Sequence, residues 1–196
     1  MAGVGKTSLA STLARKLKGV HVELGRLSVE EGLTLGYDKR RRCHIVDLER
    51  LSGFLAEKFS GVKGFLAFEA PFTVRLPEPL TPKAVFVLRC EPRQLAKRLK
   101  AKGYPPAKIM ENLWAEILDY PLQEALAAYE AERIHELDVT ARGVEEAAGE
   151  ALEVLGGAKP PSYGRVNWLG RLEEEGLLTE ISATPARAAL KRLLEG

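Results

Sequence analysis

The chain opens on a glycine-rich segment that runs directly into a helical pattern, and this feature constrains the fold more than any other. Gly5-Lys6-Thr7 matches the end of the phosphate-binding pattern G-x-x-x-x-G-K-[ST], with Gly3 inside it and Ser8 just after it. Glycines let backbone N–H groups point at phosphate oxygens, and a helix beginning at Lys6 directs the positive end of its dipole at the same anion. Lys6 would reach the β- and γ-phosphates of a nucleotide, and Thr7 would ligate Mg²⁺.

Strand-like and helix-like segments alternate behind this loop. Alternating or wholly apolar runs predict strands over residues 20–24, 64–69, 84–89 and 134–139. Apolar residues at helical spacing predict helices over 6–18, 26–33, 48–59, 94–102, 106–131, 144–155, 168–175 and 186–194. Asp47 is a candidate helix cap, and Pro121 a candidate kink. This alternation predicts a three-layer α/β fold with a mostly parallel sheet, and it favours a functional phosphate loop over a chance GKT tripeptide.

One part of this pattern is missing. The first glycine of the phosphate-binding pattern would fall one residue before Met1, and residues 1–2 cannot supply the strand that leads into such a loop. In a doubly wound sheet that strand is central, so we expect residues 64–69 and 84–89 to flank a gap or close over it. We expect Met1 at the mouth of the loop, and the true start of the protein upstream of it.

Composition narrows the class of protein. The chain has 196 residues and a formal net charge of +2, which is too small to indicate nucleic-acid binding by bulk charge. Cys43 and Cys90 form no CxxC pair, which favours a reduced protein without disulfides or zinc. No apolar run approaches the ~20 residues that span a bilayer. We expect a cytoplasmic protein.

Several segments together resemble the adenylate kinase isoenzyme 6 family. They are AGVGKTSLA at the loop, Glu30 to Asp38, Ile45-Val46-Asp47, Val87-Leu88-Arg89, Lys102-Gly103-Tyr104, Lys108-Ile109, Glu111-Asn112 and Ala115-Glu116. This family comprises small nucleoside monophosphate kinases that also act as ATPases in small-subunit ribosome maturation. The resemblance covers most of residues 2–140, and its spacing is more specific than GKT alone.

The resemblance implies roles for individual residues. Gly3, Val4, Gly5, Lys6, Thr7 and Ser8 would bind the phosphates of ATP, with Thr7 on Mg²⁺. Residues from about 23 to 46 would form a monophosphate-binding arm, and those from about 101 to 111 a lid, within a kinase domain over 1–157. Residues 158–196 would be a linker and a helical tail.

Three departures from the family pattern bear on catalysis. Lys102 stands where the family has arginine in its lid, which keeps the charge but loses bidentate phosphate geometry. Glu69-Ala70-Pro71 replaces the family's Asp-x-His, so Glu69 would stand in for the acid and no histidine follows. The loop after Asp38 is basic, from Lys39 to Arg42, and is either a grip for phosphate or rRNA or simply a solvated loop.

Two residues keep alternative interpretations. Arg89 ends a buried strand, where it would contact phosphate or adenine or make a structural salt bridge. Asp47 would organise the arm or cap a helix. The reaction we expect is phosphoryl transfer from ATP to a nucleoside monophosphate, with Lys6, Lys102 and Glu69 as catalytic residues. The alternative is an ATPase assembly factor that binds a small-subunit ribosomal protein or rRNA.

Overall fold

The computed structural model describes residues 2–39 and 41–195. Its strands are β1 (Val20–Glu23), β2 (Thr34–Asp38), β3 (Cys43–Val46), β4 (Leu66–Glu69), β5 (Val85–Arg89) and β6 (Ile134–Asp138). Its helices are α1 (Lys6–Lys16), α2 (Leu24–Glu30), α3 (Leu48–Phe59), α4 (Pro92–Ala101), α5 (Pro106–Ile117), α6 (Tyr120–Ala128), α7 (Val144–Gly156), α8 (Trp168–Glu174), α9 (Leu177–Ser182) and α10 (Ala186–Glu195). The described part of the chain contains no helix that is both long and apolar enough to cross a membrane.

Two parallel strand pairs form the middle layer. In the first pair β1 lies beside β4, with Val20 opposite Leu66 and Glu23 opposite Glu69. In the second, β5 lies beside β6, with Val85 opposite Ile134. This arrangement confirms the α/β fold with parallel strands.

Helices cover both faces of the strand pairs. Because strand side chains alternate between faces, Val22 and Phe68 pack with Leu51 and Leu55 of α3, whereas Ala67 packs with α1 on the other face. The β5–β6 pair repeats this division: Val87 and Ile134 pack against α6, while Leu88 and Leu137 share a core with α1 and α7. The result is three layers, with the phosphate-binding motif at the start of α1.

A cleft separates the two strand pairs. Within the described residues β4 and β5 belong to different hydrogen-bonded sheets. Between them lies a largely apolar cavity of about 840 Å³, lined by residues 66–69 of β4, by 85–88 of β5 and by Val4, Leu9 and Leu13. The expected gap between these strands is therefore confirmed. The expected position of Met1 lies outside the described residues.

The chain between α2 and α3 forms a hairpin, which the sequence interpretation missed. It predicted a turn at Gly36 followed by a basic loop, whereas β2 and β3 pair in antiparallel fashion with an irregular register between Thr34 and Gly36. Glycine and charged residues interrupt the alternation that usually identifies a strand. The ring of Tyr37 contacts that of His44, 5.1 Å between centroids, so the two strands support each other.

The helix predicted over 106–131 is in fact two helices. Asp119 adopts a left-handed conformation, φ 55°, which ends α5 and begins α6. Pro121 therefore lies in the first turn of α6, where its missing N–H has no intrahelical acceptor to lose. The predicted kink at Pro121 is wrong for this reason.

The last three helices pack into the main core. Leu172, Ile181, Leu190 and Leu193 lie in the same buried cluster as Leu99, in contact with helices α4 and α5. Helix α9 was not predicted, because six residues are too few for a helical period to be visible. The segment from 158 onward thus helps to hold the helices that back the phosphate loop.

Candidate nucleotide-binding site

The glycines of the motif shape the loop before α1. Gly3 and Gly5 both have left-handed backbones, φ 82° and 95°, and Gly5 is the N-cap of α1. A Cβ on Gly3 would lie 2.9 Å from Cδ2 of Leu99, so the loop packs closely on α4. Both positions therefore favour glycine for backbone reasons, and Gly3 also lacks space.

Two further contacts fix the loop against the helical layer. Val4 is buried in the main core, 3 % exposed, so the loop is anchored by its side chain. The backbone N–H of Ala2 donates to Oδ1 of Asn112 on α5, 3.0 Å away, and the amide of Asn112 donates in turn to the carbonyl of Lys108. Asn112 belongs to the family-like Glu111-Asn112 segment, for which the sequence alone offered no role.

Lys6 and Thr7 meet the acid that ends β4. The Thr7 hydroxyl donates to Oε1 of Glu69 at 3.1 Å. Burial lowers the pKa of Lys6, the nearby Glu69 carboxylate acts in the opposite direction, and the Lys102 cation lowers the pKa further. The hydroxyl and carboxylate oxygens are ligand types that suit Mg²⁺, so these residues fit the expected ion.

Lys102 lies close enough to Lys6 for its charge to lower the pKa of Lys6. Lys102 is the C-cap of α4 and is exposed, and Gly103 follows with a left-handed backbone, φ 75°. The structure therefore brings together Lys6, Thr7, Glu69 and Lys102, which come from three separate stretches of sequence. Ser8 lies on the exposed side of α1.

A second cavity, of about 260 Å³, borders the phosphate loop on the side of β6. Its lining includes Gly3, Gly5 and Ser8 of the loop together with Arg98, Val139, Arg142 and Gly143. The Arg98 guanidinium donates to the carbonyls of Val139 and Thr140, 2.8 and 3.0 Å away, and so fixes the loop that follows β6. This loop lies at the carboxyl end of a parallel strand, where α/β sheets commonly bind ligands.

Arg89 lies in a buried ion network. Its side chain is 0 % exposed and donates to Glu116 at 2.8 Å, and it also bonds Glu136 and Asp119. Oε1 of Glu116 further accepts hydrogen bonds from the Cys90 backbone and the Trp168 indole. Burial raises the pKa of Glu116, although the Arg89 charge opposes this. The arrangement supports the structural salt bridge over the ligand contact for Arg89.

The β2–β3 hairpin connects to α5 through an ion pair. Nε of Arg41 lies 3.2 Å from a carboxylate oxygen of Glu111 on α5, which joins the predicted arm to the predicted lid. Asp38 accepts from the backbone of Arg41, and Asp47 accepts from the backbone of Arg50 as the N-cap of α3. The cap interpretation of Asp47 is confirmed. In the basic run, Arg40 lies outside the described residues.

Comparisons with known proteins show to which family the chain is related. Residues 1–119 match a family model described as "AAA domain". Two archaeal proteins named "Putative adenylate kinase" are similar to the chain: the one from Thermococcus onnurineus is 33% identical over 85% of this chain and 86% of its own length. The one from Pyrococcus furiosus is 34% identical over 88% and 89%. A Caenorhabditis elegans protein, "Adenylate kinase isoenzyme 6 homolog", is 30% identical over 79% and 85%.

The chain belongs to the adenylate kinase isoenzyme 6 family. Membership supports a nucleotide kinase activity in general. This chain combines a GKT turn and a Thr7–Glu69 contact with a lysine at position 102.

The sequence interpretation missed several residues that line the candidate site. Val139, Arg142 and Gly143 follow β6, and the general rule that ligands bind at the carboxyl ends of parallel strands would have identified them. Glu23 on β1 was predicted only as the start of the monophosphate-binding arm, and His21 was missed, because no local motif marks either residue. They lie on the same face as Ala67 and Glu69, toward α1.

Proposed function

We propose that the protein transfers the γ-phosphoryl group of ATP to a nucleoside monophosphate, with AMP as the first acceptor to test. The observation that carries this proposal is the Thr7–Glu69 hydrogen bond at the start of α1, directly after the left-handed Gly5, which brings the acid of β4 to the phosphate loop. Lys6 lies beside that acid, and the charge of Lys102 also acts on Lys6. Phosphoryl transfer needs positioned charge more than an activated nucleophile, and two cations beside one acid provide it.

The donor nucleotide would lie along the phosphate loop. Backbone N–H groups from Gly3 to Ser8 would hold the β- and γ-phosphates at the start of α1, where the helix dipole favours anions. The base and ribose would extend toward the cavity beside Val139 and Gly143. Mg²⁺, when bound, neutralises phosphate charge, and Thr7 would hold it with Glu69 close by.

The acceptor would lie between the hairpin and α5. We propose residues 23–46 as the monophosphate-binding arm and 101–111 as the lid, within a catalytic unit over 1–157 that the helices after residue 158 support. The Arg41–Glu111 ion pair already connects the arm with the lid. Closing these two segments around both substrates would exclude water and favour transfer to the monophosphate.

In the transfer step, the bond between the γ-phosphorus and the oxygen it shares with the β-phosphate breaks, and a bond to an acceptor phosphate oxygen forms. Lys6 stays on the β- and γ-oxygens and stabilises the charge that moves to ADP. Lys102 approaches the same group from the lid. No proton transfer from a side chain is required.

One comparison of turnover tests the reaction. ATP consumption and the appearance of ADP from labelled AMP are measured with AMP, with no acceptor and with a small-subunit ribosomal protein. AMP should stimulate turnover at least tenfold, with two ADP formed per ATP consumed. Stimulation only by the ribosomal protein would replace the proposal with the ATPase assembly factor, and equal turnover in all three arms would exclude a kinase role.

A further inference from the structure

A cluster of three potential metal ligands lies on the α1 face of the β1–β4 pair. His21 and Glu23 are two residues apart on β1, so both side chains point to the same face. Glu69 lies directly beside Glu23 in the parallel register of β4. One ligand atom from each residue can be chosen such that all three lie within 4.8 Å of one another.

Two atoms of this cluster are buried without hydrogen bonds. Among the residues that the structure describes, Nε2 of His21 and Oε2 of Glu69 are inaccessible to solvent and find no partner. Buried polar atoms are normally satisfied, so an unsatisfied imidazole nitrogen and carboxylate oxygen in one cluster require an explanation. A cation shared by the two groups would satisfy both.

The charge balance points in the same direction. Glu23 and Glu69 are adjacent carboxylates, and like charges directly opposite each other on neighbouring strands are unfavourable. A divalent cation between the carboxylates would offset this repulsion.

We propose that His21, Glu23 and Glu69 form a binding site for a divalent transition-metal ion such as Zn²⁺, occupied without nucleotide. An imidazole and two carboxylates suit Zn²⁺, Co²⁺ or Mn²⁺, whereas Mg²⁺ prefers oxygen ligands throughout. Ligand atoms about 2.1 Å from one ion lie roughly 3–4 Å apart, so small side-chain rotations close the cluster around the metal. Thr7, bonded to Glu69, places this ion beside the phosphate loop. This site shares Glu69 with the proposed Mg²⁺ position and differs from it in including an imidazole.

The test uses the full chain without nucleotide. Zn²⁺ binding is measured by isothermal titration calorimetry, and Co²⁺ binding by its visible absorption, which changes when an imidazole enters the coordination shell. We expect one ion per chain, with His21→Asn and Glu23→Gln each lowering the affinity at least tenfold. Mg²⁺ at millimolar concentration should not displace Zn²⁺. Circular dichroism confirms that the variants are folded.

The matched control removes two exposed side chains outside the cluster that could also ligate zinc. Cys43 and His44 are neighbours on the exposed hairpin, so Cys43→Ser combined with His44→Asn tests for surface binding. This double variant should bind Zn²⁺ as the parent does. No binding by the parent, unchanged binding by His21→Asn and Glu23→Gln, or loss of binding in the control variant would overturn the proposal. Because no nucleotide is present, these outcomes are independent of the kinase assay.

Discussion

The charged side chains of the two parallel strand pairs have different surroundings. In the β5–β6 pair, Arg89 is buried and bonded to three carboxylates of the protein itself. In the β1–β4 pair, Glu69 accepts a hydrogen bond from the Thr7 hydroxyl at the phosphate loop and lies beside Glu23. Removing one partner of an internally neutralised buried pair destabilises a fold, whereas a perturbed charge beside an open cleft is a candidate functional group. Buried charge alone therefore does not identify a site.

The largest effect is expected from Arg89→Met, which removes the buried cation of the β5–β6 strand pair. Removal of the guanidinium leaves Glu116 and Glu136 buried without their cation, so the free energy of unfolding should fall by about 3–5 kcal/mol. Urea unfolding followed by circular dichroism measures this loss. If the Met variant does not fold, Arg89→Lys should recover part of the stability by keeping the charge.

Arg15→Met is the control for that experiment. Arg15 pairs with Glu145 at 3.0 Å, but its side chain is 68% exposed. Exposed pairs contribute only about 0–1 kcal/mol, so this variant should unfold almost as the parent does. Equal losses from Arg89→Met and Arg15→Met would mean that the buried Arg89 network stabilises the fold no more than an exposed ion pair does.

Lys6→Ala tests the candidate site beside the β1–β4 strand pair. Loss of the ammonium from the transferring phosphoryl group should lower ATP turnover by roughly a hundredfold or more, while the unfolding curve stays close to that of the parent. Lys16→Ala lies on the same helix but pairs with Glu145 on the surface, and should leave turnover unchanged. Near-normal turnover of Lys6→Ala would disprove the phosphate-loop assignment.

The pH dependence of the free energy of unfolding should follow the ionisation of Glu150, which bonds His135 of β6. Burial acts to raise the pKa of Glu150, but hydrogen bonds from Lys159, Arg142 and His135 outweigh it and lower the pKa to about 2 from 4.5. A lowered folded-state pKa means that the stabilisation is fully present above pH 4.5 and is lost as the pH falls toward 2. Glu150→Gln should therefore cost about 1–3 kcal/mol at pH 7 and clearly less at pH 3.

Thermal or urea unfolding at both pH values measures this difference. Glu153→Gln, exposed on the same helix, is the matched control and should show little change at either pH. A Glu150→Gln loss that is equal at pH 7 and pH 3 would mean that ionisation of Glu150 does not stabilise the fold.

The smallest effect is expected from Lys102→Arg in the lid. A guanidinium can bridge two phosphate oxygens, so the variant should keep or raise the phosphoryl-transfer rate by up to a few-fold. Lys100→Arg, at an exposed position of α4 two residues earlier, should leave the rate unchanged. A large fall in rate with normal folding would contradict the placement of Lys102 near the transferring group.

Features with a local signature were predictable from the sequence. The glycine loop, the Asp47 cap and the apolar run of β5 each depend on a few adjacent residues, and the structure has all three. The gap beside β4 was predictable because a phosphate loop requires a preceding strand. The Arg89 network was not, because Glu116, Asp119 and Glu136 meet only after the chain folds. The β2–β3 hairpin was missed because its strands depend on pairing with each other.

The two cysteines have very different surroundings. Cys43 is exposed on the hairpin, whereas Cys90 is fully inaccessible and burial raises its pKa to about 12. Since the thiolate is the reactive form, a maleimide dye at neutral pH will attach to Cys43 and leave Cys90 unmodified. Energy transfer from the two tryptophans, Trp114 on α5 and Trp168 on α8, to that dye would then report hairpin movement when a nucleotide binds. The unaltered sequence is therefore suited to single-site fluorescence labelling, with no cysteine to remove.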